Sequence, residues 1–222
     1  MFVTVRHVLA HFTGLDLTKR SGRPKTCNLY PGQMRPPHSH HRQIYYLPGH
    51  GRTVASGLGE ELLARGYELS GRETVGSFRA LSFTEQVQLI ADDLCSKFWR
   101  ESDHVVANSF GAYLFLHAQL TMKPYAGRVL LLSPIVGEFS SEELGMGFSP
   151  PFSTKLREFA KAGEFPAPKQ CEIHVGEQDW QSVPSNVVAL GEFINVPVTV
   201  VRNAGHTLGS AYVKSVLDKW LR

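Results

Sequence analysis

The sequence predicts an α/β protein whose mostly parallel central sheet is covered by helices on both faces. Three observations predict it. From residue 44 onward, short runs of apolar β-formers alternate with segments whose apolar residues recur at helical spacing. The runs are apolar at nearly every position, as strands buried on both sides are. Each connection is long enough for a crossover, so successive strands run the same way with right-handed links.

The elements follow in order. Residues 43–47 (QIYYL) are a β-rich run stopped by Pro48-Gly49-His50-Gly51. Residues 55–66 space Leu58, Leu62 and Leu63 on one helix face, with Gly66 as a C-cap. Residues 67–71 (YELSG) are a short strand. Ser82 and Glu85 make a capping box, and Val87, Ile90, Ala91, Leu94 and Phe98 then form an amphipathic stripe. HVVAN (104–108) is a strand, GAYLFLHAQL (111–120) a helix and RVLLLS (128–133) a strand buried on both faces. Residues 135–170 are irregular, rich in proline and glycine, with one helical stretch over 153–163. CEIHV (171–175) is a strand, 185–194 a helix and 196–201 a strand. The last helix, 209–221, sets Tyr212, Val213, Val216 and Trp220 on one face. There is no internal repeat.

Composition narrows the class. The 222 residues, 42% hydrophobic and 19% charged, are ordinary for a soluble globular protein. A formal net charge of +3 is too small to mark a nucleic-acid binder, and no apolar run is long enough to span a membrane. Cys27, Cys95 and Cys171 are scattered and odd in number, which reads as three unreactive thiols in a reducing cytoplasm.

Charge divides the chain. Residues 1–43 hold seven Lys/Arg against Asp16 alone, plus Pro24, Pro31, Pro36 and Pro37. They read as a basic, weakly ordered extension, and residues 44–222 as the domain. The acid-poor start, MFVTVRHVLAHF, has features of an organellar transit peptide; a strand or short helix packed on the domain, or a wrongly assigned start, are the other readings. His38, His40 and His41 lie in a proline-flanked loop with no cysteine or carboxylate beside them to complete a metal site.

In a sheet of this kind function gathers at the carboxyl ends of the strands, and three ends stand out. After 104–108, Ser109 stands between Ala107 and Gly111 at the joint of a strand and a helix. Small residues on both sides let so tight a turn close, lifting the hydroxyl clear of the sheet toward the amides of the new helix. An ordinary N-cap serine is the alternative. After 171–175 comes Asp179, suited to orienting an imidazolium or equally to capping a turn. After 196–201 comes His206, placed to reach across the sheet edge or to lie on the surface. His104, in a strand entry, and His117, on a helix, look structural.

Together these pieces resemble the α/β-hydrolase superfamily. The matching segments are Pro48-Gly49-His50-Gly51, Ala107-Asn108-Ser109-Phe110-Gly111, Gly176-Glu177-Gln178-Asp179 and Asn203-Ala204-Gly205-His206. They span roughly residues 44–222; residues 1–43 have no counterpart. The elbow usually begins with glycine, where this chain has Ala107. The resemblance implies a minimal core with a small cap inserted at about 135–170. Ser109 would be the nucleophile, His206 the general base and Asp179 its orienting partner. Backbone N–H groups of Phe110 and His50 would bind the oxyanion. The implied reaction is acyl transfer from a small carboxylic ester, thioester or amide to water, without a cofactor or metal. Phe139, Met146, Phe148 and Phe152, in the insertion with Phe159 and Phe165, are candidates for an apolar substrate pocket; packing of Leu156 and Phe159 on the sheet is the plainer use of that stretch. The competing reading is a non-catalytic member of the fold that binds a small ligand or a protein.

Overall fold

The computed structural model describes residues 43–143 and 145–222. Six strands form one sheet in the order β2-β1-β3-β4-β7-β8: β1 (Gln43–Leu47), β2 (Glu68–Gly71), β3 (His104–Asn108), β4 (Arg128–Leu132), β7 (Gln170–Gly176) and β8 (Val198–Val201). Every neighbouring pair is parallel. The helices are α1 (Leu58–Leu63), α2 (Gly76–Ala80), α3 (Phe83–Lys97), α4 (Phe110–Gln119), α5 (Lys155–Lys161), α6 (Pro184–Ile194) and α7 (Ser210–Trp220). A two-stranded antiparallel hairpin, β5 (Phe139–Ser141) and β6 (Met146–Phe148), stands apart from the sheet.

The continuous apolar runs are explained by where alternate side chains go. Successive residues of a strand point to opposite faces. On one face Tyr45, Leu47, Val105, Ala107, Val129, Leu131, Ile173 and Val175 pack with Ile90 and Leu94 of α3, Leu114 of α4 and Leu190 of α6. On the other, Ile44, Tyr46, Val106, Leu130 and Leu132 pack with Leu62 of α1 and Val216, Leu217 and Trp220 of α7. Both layers are dry, so a polar residue at almost any position of these strands costs burial. Each fully buried aliphatic side chain here contributes about 1.5–3 kcal/mol.

Local signals decide the helix starts. The capping box at α3 forms as the sequence predicts: Ser82 Oγ accepts from the Glu85 N–H and the Glu85 carboxylate accepts from the Ser82 N–H. Among the described residues, no helix is long and apolar enough to cross a membrane.

Several expectations need adjusting. Gln43, placed in the extension, already belongs to β1. The segment 135–170 is less irregular than expected, since it holds the β5–β6 hairpin. Leu156 of α5 is buried in the main core, the plainer of the two uses considered for that helix. Cys95 is disulfide-bonded, which corrects the reading of three free thiols; Cys171 is free and buried enough that its thiol titrates far above the ordinary value. His38, His40 and His41 and the start of the chain lie outside the described residues.

Candidate active site

The turn from β3 into α4 has a backbone that few side chains tolerate. Ser109 sits at φ 53°, ψ −122°, and its hydroxyl makes no hydrogen bond to the helix amides. An ordinary N-cap serine has extended, negative-φ backbone and does make that bond, as Ser82 does with φ −61° and ψ 153°. Ser109 is therefore not a cap. At the start of α1 nearly the same conformation recurs, φ 60° and ψ −112°, and there the residue is glycine, Gly57. A serine held in this region costs about 1–3 kcal/mol, and the surroundings hold it: its N–H donates to Leu132 O and its carbonyl accepts from Tyr113 and Ile135.

The size rule at the elbow is met by contact. A Cβ on Gly111 would lie 2.2 Å from Leu47 O and 2.5 Å from Pro48 O. A Cβ on Gly49 would lie 3.2 Å from Ser109 Cβ and 3.6 Å from its Oγ. The loop after β1 and the elbow thus touch backbone to backbone.

Asp179 and His206 reach the same point from β7 and β8. The loops that carry them are tied together: the N–H groups of Glu177 and Gln178 donate to Val201 O and Ala204 O, and the Asn203 N–H donates to the Glu177 carboxylate. His206 Nδ1 lies 2.9 Å from Asp179 Oδ2 and 3.0 Å from Oδ1; its Nε2 lies 2.8 Å from Ser109 Oγ. A carboxylate only accepts, so Nδ1 carries the proton and Nε2 presents a lone pair to the serine hydroxyl. Asp179 is buried and also accepts from the N–H groups of Gln181 and Ser182. Burial pushes its carboxyl up. The hydrogen bond from His206, the Ser182 N–H, the charge of His206 and the Gln181 N–H outweigh that and hold it below the ordinary carboxylate value.

His50 and Phe110 flank the serine. Their rings meet edge to face, centroids 5.7 Å apart. The His50 side chain is exposed; partial burial and the charge of Arg79 lower its imidazole. Neither the His50 nor the Phe110 N–H has a hydrogen-bond acceptor among the described residues.

Of the candidate pocket residues Phe139, Met146, Phe148 and Phe152, two are assembled beside the elbow and two are not. Phe110 meets Phe148, Phe148 meets Phe139, and Phe139 meets Trp180, with centroids 6.5, 5.4 and 5.6 Å apart. This aromatic run joins the elbow to the residue after Asp179. Phe152 is outside this run and packs on Phe83, which meets Tyr113 on the other side of Phe110. Met146, on β6, is 57% exposed.

The structure adds residues that sequence reasoning missed. Ser182 Oγ is fully buried, donates to Ser133 O and lies 3.4 Å from His206 Nδ1. Trp180 extends the aromatic run. Nothing in their spacing marks either; only the path of the loop does.

His117 behaves as a packing residue, held between Tyr113 and Phe83 with Nε2 unpartnered among the described residues. Burial, helped by the Lys155 charge, pushes its imidazole down to about 3. The folded value lies below the unfolded one, so the neutral ring's contribution is complete above about pH 6.5 and is lost as pH falls toward 3. The loss is at most on the order of 5 kcal/mol. His117→Phe should match the wild type at neutral pH and outlast it at pH 4 in urea melts. Parallel acid destabilisation of both proteins would remove His117 as a cause.

No known protein family and no curated protein sequence matches the chain. Solved structures do. A naproxen esterase (carboxylesterase NP) from Bacillus subtilis superposes with a TM-score of 0.59 at 16% identity, covering 83% of this chain and 85% of that one. The ydeN gene product of B. subtilis gives 0.56 at 14%, covering 81% and 98%. A monoacylglycerol lipase from Paleococcus ferrophilus gives 0.52 at 15%, covering 81% and 93%. At such identities the likeness is one of architecture.

Proposed function

The chain has the α/β-hydrolase fold, and we propose that it works as a serine hydrolase on carboxylic esters with an apolar acyl or alkyl part. The observation that supports this most is the unbroken hydrogen-bond chain from Ser109 Oγ through His206 to Asp179. Beside it stands the strained backbone of Ser109, which a capping role does not need.

In this reading Ser109 Oγ attacks the ester carbonyl carbon while its proton passes to His206 Nε2. Asp179 holds the ring and offsets the charge of the imidazolium. The carbonyl oxygen, now an oxyanion, is received by the N–H groups of Phe110 and His50, each worth about 3–4 kcal/mol in such sites. The C–O bond to the alcohol breaks, and the imidazolium gives its proton to the departing oxygen. Water then attacks the acyl-serine, losing a proton to His206, and the carboxylic acid leaves as Oγ regains its hydrogen. The run from Phe110 through Phe148 and Phe139 to Trp180 offers an apolar wall to the substrate. The esterase and lipase names of two similar structures agree with an ester. A small cap over the site, made by the insertion, is part of the proposal.

The test is labelling with a fluorophosphonate probe. The wild type should be labelled once, at Ser109, and Ser109→Ala not at all. An acyl-length series of nitrophenyl esters should show kcat/KM rising with apolar bulk. A folded wild type that takes no label and turns over no ester would point instead to a binding protein on a hydrolase scaffold.

A further inference from the structure

Thr74, in the loop after β2, lies 25 residues beyond Gly49 in sequence, yet it is buried and holds the loop after β1. Its hydroxyl donates to Gly49 O and accepts from the Arg52 N–H at 3.0 Å, and its own N–H donates to Arg52 O. The turn through His50 and Gly51 is clamped at both ends by this one side chain.

The carbonyl that Thr74 grips belongs to the same peptide unit as the His50 N–H. Every described peptide bond is trans. In a trans unit the C=O and N–H point in opposite directions. Fixing the carbonyl toward Thr74 turns the His50 N–H the other way, and the Gly49 α-carbon beside it faces Ser109. Donation into the carbonyl also draws electron density from the amide nitrogen, which makes that N–H a stronger donor.

We infer that Thr74 is a positioning residue for the oxyanion site, orienting and polarising the Gly49–His50 peptide so that its N–H meets the charge that develops on the substrate oxygen. The inference rests on the serine-hydrolase reading. Thr74 itself touches no substrate. Its contribution belongs to the transition state, where the oxygen carries full charge, and not to the ground-state complex.

The experiment compares Thr74→Val, which keeps the shape and removes the hydroxyl, with Thr74→Ser, which keeps the hydroxyl. Active sites are counted by fluorophosphonate titration, so misfolded protein does not enter the rates. Thr74→Val should lose about tenfold in kcat with KM within twofold, a fraction of what deleting a whole oxyanion donor costs. Binding of a trifluoromethyl ketone, which forms an oxyanion on Ser109, should weaken by the same factor. Thr74→Ser should recover most of both. Thr74→Cys, similar in size with a poor donor, stands in should the valine variant fail to fold.

An unchanged kcat per site, or a loss carried by KM alone, overturns the inference and leaves the hydrolase reading standing. A wild type without label or turnover overturns that reading, and this inference with it.

Discussion

Ser109→Ala and His206→Ala should each lower kcat on a nitrophenyl ester by about 10⁵- to 10⁶-fold, and the double variant should be no slower than either. The hydroxyl is a weak nucleophile at its own pKa and attacks only while its proton is leaving. At 2.8 Å, His206 Nε2 is the one base in contact with it among the described residues. Removing either partner removes the whole step, so there is nothing left for the second deletion to take. Asp179→Asn should cost less, about 10⁴-fold, because the base survives in the wrong tautomer. Losses that multiply in the double variant, or more than 1% of kcat left in Ser109→Ala, would refute the joint role. The measurement needs active protein at high concentration and subtraction of the buffer rate.

Gly111→Ala should be among the most damaging single methyls in the domain. The new carbon would sit 2.2 Å from Leu47 O, 2.5 Å from Leu47 C and 2.5 Å from Pro48 O. All three are main-chain atoms at the end of a strand paired on both sides. They cannot swing aside as a side chain would. We expect about 3 kcal/mol of destabilisation, a drop of about 10 °C in Tm at this size. What stays folded should be slow, because relief of the clash moves β1's loop, with His50, away from α4, with Phe110. Chemical denaturation and Tm measure the first effect and the rate per titrated site the second. A change below 1 kcal/mol would show that the two backbones part more easily than their contact implies.

How far the sequence could be read follows from the range of the forces involved. The inner strands β1, β3 and β4 were legible because both faces of the sheet are buried there, which writes apolar runs into the chain; the edge strands β2 and β8 are only half buried and carry a weaker signal. α3 was legible because its cap is local, Ser82 and Glu85 being three residues apart. The β5–β6 hairpin was not: its strands have three residues each, and MGF is exposed throughout. α2, with five residues, carries no periodicity to detect.

At the site the same division holds. Ser109 was conspicuous because its small neighbours are a steric requirement of the turn. Asp179 and His206 were conspicuous by their stations after strands. Thr74 and Ser182 were invisible, since they act through partners 25 and 49 residues away. Met146 and Phe152 were included because hydrophobicity marks burial without saying against what.

The backbone at Ser109 has a consequence for the chain's history as well as its chemistry. Glycine would rest in that dihedral well without a Cβ to offend, as Gly57 does at the mouth of α1. Random drift at this position therefore runs downhill toward a sturdier molecule with no hydroxyl to offer. Robustness and reactivity pull in opposite directions on one residue, and the serine occupies the uphill side.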